Sequence, residues 1–360
     1  MGANDFAVNL LKSRLNEAAD CGVISCDVNR RYFVGMPSSA GTLVAFPEQV
    51  YFIIDFRYIE KAEKWLEGSQ IKVILQDNLY EQINELIKKH NAKTAAIEYD
   101  RCIVSQLDNY KTKLNAEIVA DERFSNIINE LRLVKTQEQI DKIISAQRIA
   151  EKGFEHMLDF IKPGRTEREI QLELDYFMLK NGAEALSFDT IALSGKNTSL
   201  PHGVPSDKVV ENGDFVLLDY GAVVDGYHSD MTRTVCVGQP TDEMKKIYDI
   251  VLKAQLAGLD NVRAGITGKE LDKISRDIID NSGYGEYFGH SLGHGVGMEI
   301  HEAPTASPRS NEILRENSIV TVEPGIYLPG KFGVRIEDFA VVKDTGCYNM
   351  TKAPKNLIVL

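Results

Sequence analysis

The sequence predicts two domains that mix helices and strands: a small α/β domain at residues 1–124 and a larger α+β domain at residues 125–360. A length of 360 residues is enough for two domains of roughly 100–200 residues each. Short apolar runs alternate with helical patterns in the first third of the chain. The second part contains a weak internal repeat, which indicates two similar halves.

The first third carries the pattern of an α/β domain. Strands are predicted at residues 42–47, 50–55, 71–75 and 94–99, and helices at residues 58–66 and 80–90. We find no motif with evident chemistry in this part of the sequence. The segment 132–135 leads into the second domain, because Thr136 and Gln139 form a capping box that opens a long helix to about Phe160.

The internal repeat pairs residues 161–170 with residues 262–271, and each copy places a Thr-x-x-Glu capping box before an amphipathic helix. Further along each half, an apolar strand carries one acid shortly before a glycine. These acids are Asp219 and Glu323. Two similar halves that face each other would bring the two carboxylates to a common centre.

A β-hairpin is predicted to pair Asp219 with Asp230. Residues 223–226 form its turn, and a hairpin centred between Val224 and Asp225 sets the two acids directly opposite each other. Opposed side chains have Cβ atoms about 4.5–5.5 Å apart. Two ionised carboxylates that close repel each other in an apolar setting unless a cation lies between them. The pair therefore indicates a metal site.

A second hairpin supplies two more carboxylates. Glu323 ends one predicted strand, Glu337 follows the next, and Pro329-Gly330 forms the turn between them. Four carboxylates are more than one metal ion needs. They suit two ions about 3.5–4 Å apart, the separation typical of bimetallic hydrolases.

Histidines cluster in a glycine-rich segment, residues 289–302. The glycines predict turns and strands rather than a His-Glu-x-x-His zinc helix. A nucleotide-binding loop is also disfavoured, because no strand-turn-helix unit surrounds the segment. Its candidate residues are His290, His294 and His301, and His202 lies just before the first hairpin.

Composition narrows the class of partner and the compartment. A formal charge of −12 argues against a nucleic-acid partner, since phosphate binding needs a basic surface. No apolar run approaches the roughly 20 residues of a membrane helix, and no signal peptide is expected. The five cysteines are scattered along the chain, which is typical of idle thiols in a reducing cytoplasm.

Five motifs in order resemble the signature of the pita-bread metallopeptidases, in their aminopeptidase P/prolidase branch. They are LLDYG (217–221), SDMTRT (229–234), GHGVG (293–297), VEPG (322–325) and VRIED (334–338). The match spans roughly residues 125–350, and the first third resembles the creatinase-type N-terminal domain. The resemblance implies a pita-bread catalytic domain at residues 125–360, with an internal pseudo-two-fold repeat, preceded by a creatinase-type domain at residues 1–124.

The resemblance also implies the metal ligands: Asp219, Asp230, His294, Glu323 and Glu337. Asp230 and Glu337 would bridge two divalent ions, a hydroxide held between the ions would be the nucleophile, and Glu323 would handle its proton. Manganese is expected first, and cobalt, iron or zinc are compatible with the same ligand set.

Other side chains are implied to act on the substrate. His202, His290 and His301 match histidines that orient the peptide and stabilise the tetrahedral oxyanion. Arg335 matches an arginine that maintains the charge balance of the site. Tyr327 also matches a family position, with an ordinary core tyrosine as the alternative.

The expected activity is that of an Xaa-Pro aminopeptidase, which removes the N-terminal residue from peptides with proline in second position. The N-terminal domain, His290 and Arg335 resemble this proline-specific branch. Strict prolidases often carry an arginine four residues after the histidine that matches His301. Thr305 stands there instead, and Arg309 is the nearest substitute. The alternatives are a prolidase, a methionine aminopeptidase and a non-enzymatic binding scaffold, and the full ligand set argues against the scaffold. The resemblance further implies a homodimer.

Overall fold

The computed structural model describes residues 2–360, and the chain divides into two compact units between Arg132 and Leu133. The first unit is a mixed sheet with surrounding helices. Its helices are α1 (Asp5–Arg14), α2 (Asp27–Val34), α3 (Ile59–Trp65), α4 (Leu79–Lys89), α5 (Val104–Lys113) and α6 (Glu122–Leu133). Its strands are β1 (Cys21–Ile24), β2 (Thr42–Ala45), β3 (Val50–Ile54), β4 (Ile71–Leu75), β5 (Thr94–Ile97) and β6 (Glu117–Val119).

The strands of the first unit lie in the order β4-β3-β2-β1-β5-β6. The consecutive strands β1, β2 and β3 pair antiparallel, whereas the pairs β3-β4, β1-β5 and β5-β6 are parallel. Every strand and helix predicted for this part is confirmed to within a few residues. The central strand β1 was not predicted, because four apolar residues that include Gly22 are too short a run to recognise. Gly22 is needed there, since an added Cβ would lie 2.3 Å from the ring of Phe124.

The second unit pairs long helices with short sheets. Its helices are α7 (Gln137–Phe160), α8 (Glu167–Lys180), α9 (Asp242–Asn261) and α10 (Gly268–Asn281). Its strands are β7 (Ala185–Leu186), β8 (Ile191–Ser194), β9 (Phe215–Tyr220), β10 (Ala222–Val224), β11 (Tyr227–His228), β12 (Met231–Cys236), β13 (Gly293–Gly295), β14 (Glu302–Ala306), β15 (Ile319–Val322), β16 (Gly325–Leu328), β17 (Phe332–Arg335), β18 (Asp338–Lys343) and β19 (Gly346–Asn349). The capping boxes predicted before α7, α8 and α10 all form.

The internal repeat is visible in the packing of the second unit. One apolar core joins α7 and α8 to β9 and β12, and a second joins α9 and α10 to β15, β16 and β17. Each half is thus a helix pair on a sheet, and it contains the capped helix and the following strand that the sequence repeat predicts. The glycine-rich segment forms β13, a turn and β14, which confirms that it is not helical.

The register of the first hairpin differs from the prediction. Asp219 lies opposite Thr232 rather than Asp230, and the same register, continued through the hairpin, sets Asp230 opposite Gly221. The turn explains the shift. Asp225 and Gly226 both have positive φ, 51° and 81°, so they form the two-residue turn that hairpins favour, and the centre lies between them. The carboxylates remain on one face as diagonal neighbours because the shift is by two residues.

The second hairpin does bring its carboxylates opposite each other. Val322 pairs with Asp338 and Gly325 pairs with Arg335 in a single register. That register sets Glu323 opposite Glu337.

Between residues 2 and 360, none of the helices combines the length and the apolar character needed to cross a bilayer.

Candidate metal centre

Asp230, His294 and Glu337 form a compact cluster in the second unit. Each offers a ligand atom within 4.8 Å of the ligand atoms of the other two. Asp230 directly precedes β12, His294 is the middle residue of β13, and Glu337 lies between β17 and β18. The sequence-predicted ligands from both halves of the repeat therefore meet at one point.

Glu323 and Asp219 adjoin this cluster. The imidazole Nε2 of His294 lies 3.4 Å from Oε1 of Glu323 and 3.5 Å from Oδ2 of Asp230. Asp219 accepts a hydrogen bond from Nη2 of Arg335 on its Oδ2 oxygen, at 2.5 Å. All the predicted ligands line one cavity of about 910 Å³.

Two buried carboxylate oxygens indicate that the cluster is built for cations. Oδ1 of Asp219 and Oε1 of Glu337 are buried without a hydrogen-bond partner among the described residues. Buried polar atoms are nearly always paired, and an unpaired anionic oxygen in a dry interior is costly. Carboxylates together with one imidazole are the donors that divalent ions such as manganese or zinc accept. The residues present therefore fit a divalent metal site.

Proton affinities in the cluster support the same interpretation. Burial, and then the charge of the neighbouring carboxylates, raises the pKa of Asp230 and of Glu337 well above the ordinary range. Burial raises the pKa of Glu323 to about 8. Carboxylates this close cannot all stay ionised at neutral pH unless cations compensate them. Burial, and then His301, lowers the pKa of His294 to about 4, which leaves a neutral imidazole able to bind a metal.

Two threonines that the sequence analysis did not single out orient the carboxylates. Thr232 donates from its hydroxyl to Oε2 of Glu337 at 2.7 Å. Thr321 donates to Oε1 of Glu323 at 3.2 Å and accepts from the backbone N–H of His294 at 3.0 Å. The sequence could have predicted both threonines, because each lies two residues from a predicted ligand and therefore on the same face of the strand.

Tyr327 belongs to the site. Arg335 donates from Nη1 to the Tyr327 hydroxyl oxygen at 2.7 Å, and that hydroxyl lies 2.9 Å from Nε2 of His290. The other ring nitrogen of His290 lies 2.8 Å from the carbonyl of Ser291, which can only accept. Nδ1 of His290 must therefore carry the proton, and Tyr327 donates to Nε2. Burial, and then the charge of Arg335, lowers the pKa of His290 to about 4, in agreement with a neutral ring.

The remaining predicted histidines face the same cavity. His202 lies in the loop after β8, and His301 directly precedes β14, with its ring 4.3 Å from the ring of His294 between centroids. Thr305 also lines the cavity, whereas Arg309 is absent from the lining residues of the described chain. A different arginine, Arg168, is present in the wall, and the sequence analysis missed it.

The comparisons with known proteins agree with the fold. Residues 141–344 match the model of metallopeptidase family M24, and residues 9–134 match the creatinase/prolidase N-terminal domain. The chain is 39% identical to an Xaa-Pro dipeptidase of Pyrococcus furiosus, over 97% of this chain and 98% of the relative. Among solved structures, an Xaa-Pro dipeptidase from Bacillus anthracis is 43% identical, with a TM-score of 0.94 over 99% of this chain and 100% of the other. An X-Pro aminopeptidase from Thermotoga maritima is 37% identical, with a TM-score of 0.91 over 97% and 99%. The predicted pita-bread fold with a creatinase-type N-terminal domain is confirmed.

Proposed function

Because this chain belongs to metallopeptidase family M24, we propose that it is a metal-dependent Xaa-Pro aminopeptidase that cuts the bond before a proline in second position. One observation carries the proposal. The carboxylates and histidines predicted from sequence line one cavity together with Arg335, and Tyr327 links Arg335 to His290.

The metal ligands of the proposal are Asp219, Asp230, His294, Glu323 and Glu337, and they would hold two divalent ions. Bound ions would supply Lewis-acid activation of water and of the scissile carbonyl. On the family resemblance, we propose that Asp230 and Glu337 would serve both ions, and both lie in the compact cluster with His294. Manganese is proposed first on the resemblance, and metal analysis after loading with manganese, cobalt, iron or zinc tests that choice.

The protein's own groups would move the proton. We propose that Glu323, whose carboxylate lines the cavity beside His294, takes a proton from the attacking water. The same proton can then pass to the proline nitrogen, which must be protonated to leave as a secondary amine. We propose that His301 and His202, which line the same cavity, donate to the carbonyl oxygen as it gains negative charge.

Substrate length is the finer part of the proposal. A dipeptide Xaa-Pro carries its free carboxylate directly on the proline, close to the buried centre. A desolvated carboxylate without a cationic partner costs several kcal/mol, and Thr305 offers only a hydroxyl there. A tripeptide replaces that carboxylate with a neutral amide, so we propose longer peptides as the preferred substrates. A prolidase is the second candidate, since two of the similar proteins are named Xaa-Pro dipeptidases.

One assay separates these functions. The manganese-loaded protein is given an Xaa-Pro dipeptide, the matching Xaa-Pro-Yaa tripeptide and a Met-Ala-Ser peptide. We expect kcat/KM for the tripeptide to exceed that for the dipeptide by at least about tenfold, or about 1.4 kcal/mol. Thr305→Arg should narrow or reverse the difference. Equal cleavage of dipeptide and tripeptide by the wild type would favour the prolidase, and cleavage of the methionine peptide alone would contradict both.

Two further proposals concern the state of the protein. The homodimer rests on the family resemblance and is tested by light scattering at several protein concentrations. A cytoplasmic location is supported by the cysteines, which are all free thiols in the described structure. Fractionation of cells that produce the full chain tests it.

A further inference from the structure

Arg168 places an exposed cation in the wall of the cavity that holds the candidate ligands. The other arginine of the wall, Arg335, is 3% exposed and paired with Asp219. The Arg168 side chain is 55% exposed, and Nη2 donates to the Pro205 carbonyl at 3.4 Å. Nε lies 3.5 Å from the carboxylate of Asp207, which is itself 92% exposed. Contacts this long and this solvated are weak, so the guanidinium is available to a ligand.

The local structure does not account for a cation at this position. Arg168 is the second residue of α8, in the first turn, where the helix dipole favours anions and disfavours cations. Helix capping is already provided by Thr166 and Glu169. The backbone at Arg168 is also held in place, because its N–H donates to the Ser206 carbonyl at 3.1 Å. The backbone of Arg168 is thus fixed, while its weakly held guanidinium can turn from Pro205 and Asp207 toward a ligand.

We propose that Arg168 binds the C-terminal carboxylate of the substrate, so that the preferred substrate is an Xaa-Pro-Yaa tripeptide with a free C-terminus. This inference rests on the proposed Xaa-Pro peptidase function and names its substrate class more narrowly. A guanidinium binds a carboxylate through two parallel hydrogen bonds, a pairing that an exposed hydroxyl or amide cannot reproduce.

Depth in the cavity selects the tripeptide over the dipeptide. The catalytic carboxylates are almost fully buried, with Asp230 4% and Glu337 1% exposed, whereas Arg168 is more than half exposed. The peptide bond to be cut lies at the buried end. Each added residue carries the C-terminus outward by up to about 3.3–3.6 Å. The carboxylate of a tripeptide would therefore extend farther toward the exposed part of the wall, which includes Arg168, than the carboxylate of a dipeptide.

The test compares one tripeptide, Xaa-Pro-Yaa, as the free acid and as the C-terminal amide, with manganese-loaded full-length protein. We expect the wild type to prefer the acid by about three- to fivefold in kcat/KM, mainly through a lower KM, since the charge-assisted pair that is lost with the amide is solvent-exposed and of modest strength. Arg168→Gln should lower kcat/KM for the acid to the level of the amide and leave the amide within about twofold of the wild type. The amide thus reports on folding and on the catalytic centre in the same variant.

Arg309→Gln is the matched control, because Arg309 is an exposed arginine outside the cavity wall. It should keep the full preference for the acid. Equal cleavage of acid and amide by the wild type would overturn the inference, and so would a preference that survives Arg168→Gln or disappears in Arg309→Gln. These outcomes differ from failure of the proposed function, in which the wild type would cleave neither form.

Discussion

Glu167 is a buried carboxylate that fixes the loop carrying His202. Its side chain is fully buried at the start of α8. One oxygen accepts from the Ser194 N–H at 2.7 Å, the other accepts from the Ser206 N–H at 3.0 Å, and Asn197 donates to both. The hydroxyls of Ser194 and Ser206 donate as well. These residues bracket the loop between β8 and β9, so the position of His202 depends on a charge outside the catalytic cavity.

Glu167→Gln tests this dependence at nearly constant volume. Each carboxylate oxygen faces one backbone N–H, so either orientation of the new amide sets an NH₂ group against a donor. A buried donor left without an acceptor costs about 1–3 kcal/mol, and a hydrogen bond to a charged acceptor contributes about 1.5–3 kcal/mol. We therefore expect a loss of about 2–5 kcal/mol in the free energy of unfolding of the second unit. For a unit of this size, that corresponds to a fall in melting temperature of roughly 4–20 °C.

The assay combines calorimetry with kinetics on an Xaa-Pro-Yaa peptide. The bound metal should be retained, because the partners of Glu167 are not candidate ligands, while kcat falls as His202 loses its fixed position. Glu155→Gln, an exposed glutamate on the neighbouring helix α7, is the control and should change neither quantity. A melting temperature within about 2 °C of the wild type would refute the energetic reasoning. A lower melting temperature with unchanged kcat would refute the link to His202.

Three further predictions concern the metal centre. Asp230→Asn and Glu337→Gln should each lose bound metal and several orders of magnitude of activity, and a chelator should abolish wild-type hydrolysis, as measured by metal analysis and peptide cleavage; a fully active metal-free protein would contradict the assignment. His301→Ala should lower turnover by about 10²–10³-fold with metal content intact, as expected for a lost transition-state donor, and an equal loss of metal would make His301 a ligand. Burial raises the pKa of Glu323 from 4.5 to about 8. Between these two pH values the metal-free folded state keeps a proton on Glu323 that the unfolded state has released. The free energy of unfolding of the metal-free protein therefore falls as the pH rises from about 4.5 to about 8. The thermal shift on adding manganese should therefore grow between about pH 5.5 and pH 8, and a constant or shrinking shift would contradict it.

Local chemistry was sufficient to predict most elements that carry the site. The capping boxes before α7, α8 and α10 are short-range patterns, and all of them form. The Asp225-Gly226 turn was recognised, but its centre was placed one residue too early, which moved the partner of Asp219 by two positions. A turn with two positive φ values has its own register, and the hydrophobic pattern alone does not reveal it.

Contacts between the two halves of the repeat could not be predicted from the sequence. Thr232 from the first half donates to Glu337 from the second, and Nε of Arg335 donates to Thr232 at 3.1 Å. Arg168 reaches the cavity wall from the first turn of a helix whose sequence is explained by capping alone. Each of these positions looks ordinary in its own segment. Only tertiary packing makes them part of the site.

The charges of the candidate ligands indicate how many divalent ions the site can hold. Four carboxylates face one guanidinium and a neutral imidazole, so three negative charges are left without compensation. The carboxylates are those of Asp219, Asp230, Glu323 and Glu337. One divalent ion would leave the site negative, whereas two would leave one positive charge, which a bound hydroxide, or the oxyanion formed from it, would neutralise. Arg335 contributes the charge that makes this balance positive. By occupying Oδ2 of Asp219, it also leaves Oδ1, the buried oxygen without a partner, as the atom of Asp219 that can bind an ion.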